Sequence, residues 1–282
     1  MSDATEQIEA WRAIASGWER QRALVWESTR AVSDRLVELL RPEPGEMILE
    51  LAAGPGDTGF LAAALLQPGG RLVSTDAAPE MLDAARRRAA ELSLDDGQVS
   101  FAVEDMTALT LEDASVDGVL CRWGLMLVPD MDAAASEIAR VVRPSGRAAL
   151  AVWADATKND WMTAPGRTAL ELGLTEPPDP EAPGPFRLAD PDRLRGVLEG
   201  GGLSVEVVED VPILWRVPSL GEWWGVARDT SRMLSLLLEA ATPEQGQALR
   251  EGAERRLERY VEPDGSLAVP GVARVALARL PE

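Results

Sequence analysis

Small and acidic residues stand along the first half of the chain at the intervals a nucleotide-type cofactor site requires: Glu50-x-Ala52-x-Gly54-x-Gly56, then Asp76, then Glu104-Asp105-Met106. A glycine turn lets the main chain come close to a ligand, and a helix beginning just after it directs unpaired N–H groups there, so the chemistry is recognition by backbone. Asp76 follows the glycines by about 20 residues, where a carboxylate can bind both hydroxyls of a ribose. It also precedes the amphipathic stretch Met81–Leu92 and can help to cap it, a compatible role. Glu104-Asp105-Met106 adds an acid followed by a flexible apolar side chain.

These residues need strands that end at one edge. Met47 onward reads as an apolar strand, the glycine turn feeds a helix beginning near Phe60, and Arg71–Asp76 reads as a second strand. Val99–Val103 alternates like a third strand, and Val116–Cys121 reads as a fourth, introduced by the turn Glu112–Ser115 and followed by Arg122-Trp123-Gly124. Leu127-Val-Pro-Asp130, a helix over Met131–Val142, the turn Arg143-Pro-Ser-Gly146 and a strand over Arg147–Trp153 complete the series. Strands alternating with helices predict an α/β fold with a doubly wound, mostly parallel sheet.

The spacing from Glu50 to Gly56 resembles the E/D-x-G-x-G-x-G loop of class I S-adenosylmethionine methyltransferases, with Ala52 at the first glycine. The order of the acid-capped helix, the D-G-V-L strand and the R-P-S-G-R turn resembles the ubiquinone/menaquinone-biosynthesis type of small-molecule methyltransferase, over roughly Met47 to Trp153. This resemblance implies a Rossmann-like seven-stranded sheet whose last strand is antiparallel. It implies S-adenosylmethionine as cofactor and S-adenosylhomocysteine as product, held by Glu50, Ala52, Gly54, Gly56, Asp76, Ala77, Met81, Asp105, Met106 and Arg122, with no metal. Asp105 and Met106 would meet the adenine amino group and ring face.

Composition narrows the chemistry. The 282 residues are 46% hydrophobic and 27% charged, enough for one doubly wound domain and a lid or cap. No apolar run approaches the roughly 18–20 residues of a membrane span. MSDATEQIEAW has neither a basic region nor an apolar core, which points to a cytoplasmic protein, and the single Cys121 fits a reducing compartment. A net charge of −19 opposes nucleic acid and anionic membranes as partners. Arg86-Arg87-Arg88 reads as a solvated helix face beside Glu80, Asp83 and Glu91. The chain contains no histidine, which excludes Ser-His-Asp and Cys-His nucleophiles, His-containing zinc sites and a His general base. Methyl transfer from a sulfonium needs little of this, because alignment alone can lower the barrier by several kcal/mol.

Two tryptophan-rich parts flank the core. Residues 1–40 read as a helical leader, with Ile8, Trp11, Ile14, Ala15 and Trp18 at helical spacing and a second amphipathic stretch over Ala23–Leu40. The resemblance makes the leader a lid with Trp11 and Trp18 facing the site; packing alone is the plainer reading. The core is assigned to residues 41–211, with a loop-rich, proline-dense connection over 154–190, a capped helix over Asp190–Glu199 and a sixth strand over Leu203–Val211. Residues 212–262 read as a helical insertion, an acceptor cap or else a dimer surface or simple buttress, in a chain that is a monomer or homodimer, and 263–282 as the closing strand. The acceptor pocket is expected from Arg122, Trp123 and Met126, from Trp153, Trp161 and Met162, and from Trp215, Trp223 and Trp224, suiting a hydrophobic, aromatic or quinone- or polyketide-like small molecule. Arg122 and Trp123 are the candidate catalytic residues. Arg122 either pairs with a substrate carboxylate or phenolate or ties down Asp117 or Glu104. Two other readings stay open: a ligand-binding protein of this fold that transfers nothing, and an NAD(P) oxidoreductase, which Asp57 disfavours by repelling phosphate.

Overall fold

The computed structural model describes residues 3–282, apart from the side chains of 3–8 and 10, so residues 1–2 of the predicted leader and the side chain of Ile8 lie outside the described residues. The chain begins with helix α1 (Asp3–Leu40) and continues through β1 (Met47–Leu51), α2 (Asp57–Leu65), β2 (Arg71–Asp76), α3 (Pro79–Glu91), β3 (Val99–Val103) and β4 (Val116–Arg122). It then forms α4 (Met131–Val141), β5 (Val142–Trp153), α5 (Asp160–Glu171), α6 (Pro191–Gly200) and β6 (Ser204–Val217). Three helices, α7 (Leu220–Thr230), α8 (Arg232–Ala240) and α9 (Pro243–Leu257), precede β7 (Leu267–Arg279).

The seven strands form one sheet in the order β3-β2-β1-β4-β5-β7-β6, parallel except where β7 runs between β5 and β6. The sheet is the Rossmann-like architecture implied by the sequence. Ile48, Leu49 and Leu51 of β1 and Val119, Leu120 and Cys121 of β4 are at most 1% exposed, as expected of central strands covered by helices on both faces. The outer strand β6 instead alternates buried and exposed over Val211–Val217. Strand order reverses between β1 and β4, and the crevice beyond their carboxyl ends is where such sheets bind ligands.

Five expectations about elements change. The two predicted leader stretches are one continuous 38-residue helix, because no Pro or turn residue divides them and α1 has neighbours along its length in α2, α3, β5, β6 and α7. The first crossover helix starts at Asp57 rather than near Phe60, with Gly56 as its N-cap at φ 89°. Strand β6 runs on to Val217, six residues beyond the predicted end, so the boundary drawn at 212 falls inside it and Trp215 belongs to the sheet. Six register pairs with β7, from Pro212↔Val272 to Val217↔Leu267, hold that extension. Within the loop-rich connection, α5 occupies Asp160–Glu171, with Pro165 inside it, and the proline-dense segment after it is irregular. The turn Arg143–Gly146 is an excursion within β5: Val116 pairs with Val142 while Gly118 pairs with Arg147.

Candidate functional site

The loop after β1 is shaped by hydrogen bonds between backbone and carboxylates. Gly54 N–H donates to Asp76 Oδ2 and Ala78 N–H to Asp76 Oδ1, both at 2.9 Å, so one carboxylate fixes the glycine turn and the entry to α3 together. Burial raises the Asp76 pKa, against the three backbone N–H groups that favour its anion. Ala52, Gly54 and Gly56 all have positive φ, at 50°, 54° and 89°. Ala52 therefore holds the left-handed conformation that glycine adopts without strain.

Beneath this loop lies Glu50, 2% exposed. Its Oε1 accepts from Gly59 N–H at 2.7 Å and its Oε2 from the Ser74 hydroxyl at 2.9 Å, tying β1 to the first turn of α2 and to β2. A side chain at position 59 would collide with this carboxyl, which is why α2 carries a glycine there. Desolvation outweighs those donors and the Arg122 charge and pushes the Glu50 carboxyl up to about 8.

A cavity of 160 Å³ opens beyond these residues, in the crevice at β1 and β4. It brings together Glu50, Ala52, Gly54, Asp76, Ala77, Met81, Asp105, Met106, Arg122, Trp123 and, from the leader, Trp11 and Trp18. The indoles of Trp11 and Trp18 lie 6.1 Å apart and pack with Ala15, Ala78 and Met81. Salt bridges Arg12–Glu80 and Arg87–Glu19, both 2.8 Å, hold this part of α1 to α3. Trp18 Nε1 donates to Thr230 O at 3.2 Å, and Arg20 and Gln21 both donate to Asp229, so α1 is also fastened to the end of α7. Asp105 Oδ1 accepts from Thr107 N and Oγ1, and among the described residues no protein donor reaches Oδ2.

Trp123 is 7% exposed and has φ 61°, an unfavourable conformation for a bulky side chain. Its ring stacks on Trp153 at 4.2 Å and 12°, and Arg122 lies over it at 4.6 Å. Next to it, a Cβ on Gly124 would stand 2.5 Å from the Ala52 Cβ and 2.9 Å from Met106 Cε, so glycine there lets the segments after β1, β3 and β4 converge.

Several expected site residues are elsewhere. Gly56 does not line the cavity; it starts α2 and packs against the Phe60 ring. Met126, 1% exposed, belongs to the core, and Trp153 stands behind Trp123. Trp161, Trp223 and Trp224 form a separate cluster with Trp215: Trp161 stacks on Trp215 at 4.6 Å, and Trp223 Nε1 donates to Trp161 O at 3.3 Å. None of these, nor Met162, reaches the cavity; α5 packs on α9 and β7, and α7 on α1 and β6. Arg122 pairs with neither Asp117, which takes Arg143 and Met47 N–H, nor Glu104, which takes Thr110. Its Nη1 donates to Thr29 Oγ1 at 3.1 Å and Ser33 Oγ at 3.2 Å. Asp57 is neutralised by Arg22 and Arg88 at 3.2 and 3.1 Å, so its charge no longer argues against phosphate.

Sequence reasoning missed Thr29, Ser33, Thr58, the close approach at Gly124 and the wall Leu127-Val128-Pro129. The hydroxyls carry no pattern of their own along α1, whereas the glycine directly after a strand-end Arg-Trp was a usable signal. Among the described residues no group of three or more His, Cys, Asp or Glu could hold a metal ion, and no helix is long and apolar enough to cross a membrane.

The order of the sheet, its single antiparallel return and the glycine loop over the β1/β4 crevice define a doubly wound, nucleotide-cofactor fold. Residues 51–150 match the family described as "Methyltransferase domain". The chain is 37% identical over 124 residues to nocamycin O-methyltransferase of Saccharothrix syringae, covering 44% of each protein. It is 39% identical over 113 residues to the ubiquinone/menaquinone biosynthesis C-methyltransferase UbiE of Acidiphilium cryptum, covering 39% of this chain and 43% of that one. The chain thus spans less than half the length of these curated relatives. Among solved structures, the YcgJ protein of Bacillus subtilis superposes with a TM-score of 0.58 at 18% identity, over 89% of this chain and 98% of that one, a likeness of fold. Residues 51–150 thus match a methyltransferase domain, the kind of domain that the motifs resemble.

Proposed function

We propose that the chain is an S-adenosylmethionine-dependent methyltransferase acting on a hydrophobic, aromatic or quinone- or polyketide-like small molecule. The reading rests above all on the convergence, in one cavity at the β1/β4 switch, of the positive-φ loop Ala52–Gly54, the Asp76 carboxylate, Asp105-Met106 and the leader's two tryptophans. When bound, the cofactor supplies a methyl group already activated on a sulfonium. The chain's own contribution is position and dryness. Asp76, held by Gly54 and Ala78, keeps lone pairs for two ribose hydroxyls. Asp105 offers Oδ2 to the adenine amino group, and Met81, Ala77 and Met106 supply apolar walls. Trp11 and Trp18 cover the cavity from the leader, and Trp123 walls the side toward β4. With no histidine in the chain, the acceptor brings its own nucleophile, as an acidic phenol, an enol or a neutral amine.

Calorimetric titration with S-adenosylhomocysteine tests the reading, with NAD as control and Asp105→Asn as variant. The substitution keeps Oδ1 for Thr107 and puts a donor where the adenine amino group needs an acceptor. Micromolar binding to the native chain, weakened about tenfold or more by the variant and absent for NAD, is expected. No binding by the native chain would refute the proposal.

A further inference from the structure

Arg122 is the only cation among the described residues that line the cavity, and it lacks a counter-ion: no carboxylate of the described residues lies within salt-bridge distance of it. What holds it is neutral. Thr29 and Ser33, both fully buried, accept from its Nη1. The Thr29 hydroxyl gives its proton to Val25 O at 2.6 Å, and Ser33 shares a 2.8 Å hydrogen bond with Thr58, so both present lone pairs to the guanidinium. The acids that flank it are committed elsewhere, Glu50 to Gly59 and Ser74, and Asp57 to Arg22 and Arg88.

A cation taken out of water without an anion is costly, and a structural role at this position could be filled by a neutral side chain. Among the described residues no acceptor meets Nε or Nη2, yet neither is a sealed, unpaired atom, so these donors are open to the cavity that Arg122 lines. Two parallel N–H groups of a guanidinium match the two oxygens of a carboxylate. We propose that Arg122, seated on Thr29 and Ser33, is a carboxylate-binding subsite in which the anionic end of a ligand takes the place of the missing counter-ion. That anion is either the amino-acid carboxylate of the adenosyl cofactor or a carboxylate on the acceptor. Both of these sources rest on the methyltransferase reading, whereas the carboxylate subsite itself does not.

The test compares the native chain with Arg122→Met in titrations with S-adenosylhomocysteine and with 5′-methylthioadenosine, which shares the adenosine but lacks the carboxylate. It adds benzoate against benzamide, titrated with and without S-adenosylhomocysteine, and thermal unfolding of the ligand-free proteins. A cofactor carboxylate is shown if the variant weakens S-adenosylhomocysteine about ten- to a hundredfold and leaves 5′-methylthioadenosine unchanged. An acceptor carboxylate is shown if both adenosyl ligands are unaffected while a preference for benzoate over benzamide is lost. In either case the ligand-free variant is at least as heat-stable as the native chain. The inference is overturned if both adenosyl ligands weaken together and stability falls, which is a structural role, or if no carboxylate ligand distinguishes the two proteins. Failure of both adenosyl ligands to bind the native chain would instead remove the cofactor reading, and the benzoate comparison on the ligand-free protein would then decide the subsite.

Discussion

Glu50 ties the stability of the fold to pH through one buried carboxyl. Its native pKa is pushed up to about 8 from an ordinary 4.5 by burial, so between those values the folded chain keeps a proton that the unfolded chain has released. Protons bound in the unfolded state minus those bound in the native state is then negative, and stability falls as pH rises through that window. The slope approaches about 1.4 kcal/mol per pH unit, and the whole loss approaches about 5 kcal/mol, levelling off above pH 8. Glu50→Gln removes it. A glutamine can accept from Gly59 N–H through its oxygen and donate to the Ser74 hydroxyl through its nitrogen, preserving both ties. Native and variant chains should therefore unfold at similar temperatures near pH 4.5 and diverge as pH rises. By pH 8 the variant should lead by about 10 °C, at roughly 2–4 °C per kcal/mol for a chain of this size. Thermal unfolding followed by circular dichroism from pH 4.5 to 9 measures this, and subtracting the two curves cancels the repulsion from the other acids. A gap that does not change with pH would refute the argument. So would a variant less stable throughout, since that would make the anion the native form.

Two more substitutions separate strain and packing from ligand binding. Ala52→Gly should stabilise the chain by about 0.5–1 kcal/mol, relief of the left-handed conformation exceeding the backbone entropy that glycine adds, and should raise the unfolding midpoint by a few degrees; a lower midpoint would mean that the Ala52 methyl is needed where it meets Gly124. Trp223→Ala should cost about 3–5 kcal/mol in chemical denaturation while S-adenosylhomocysteine affinity at 20 °C stays within twofold, because the fully buried ring packs with Trp161 and Trp224 and not in the cavity; a large loss of affinity in a folded variant would place that cluster in the site.

Strands β1 to β5 are legible in the sequence because each is an apolar run ending in a turn or an acid, and a parallel sheet buried on both faces leaves few other choices. Residues whose chemistry is carried by the main chain, such as Gly54, were legible for the same reason, since a turn at positive φ has a residue signature. The tryptophans were not. A large apolar ring is equally at home in a cavity wall and in a core, and its identity does not tell which; Trp11 and Trp18 line the cavity, whereas Trp161, Trp223 and Trp224 close a core cluster over β6. Nor were the partners of Arg122, because Thr29 and Ser33 lie 93 and 89 residues away on a helix whose course over the sheet no local pattern records. The end of β6 was missed because strand pairing with β7 extends it through Pro212, a residue that ends a strand by propensity but is tolerated at the sheet's outer edge.

Those misplacements change how the insertion before β7 bears on the cavity. It sends no tryptophan into it, yet its first helix ends where the leader must be held: Thr230 O receives Trp18 Nε1, and Asp229 receives Arg20 and Gln21. A side chain at Gly17 would run into the Asp229 carbonyl, at 2.0 Å, so the two helices meet backbone to backbone. The tryptophan cluster in turn anchors α7 to β6 through Trp223, Trp161 and Trp215, giving a rigid base for that contact. The cavity roof is thus supported from two sides, by α3 through Arg12–Glu80 and Arg87–Glu19 and by α7 through Asp229. The surface ion pairs are individually weak and screened by salt, whereas the helix contact at Gly17 and the Trp18 hydrogen bond are not. The packing of Trp11 and Trp18 on Ala78 and Met81 adds an apolar contact on the α3 side that salt does not screen, so the leader is held on both sides by more than charge.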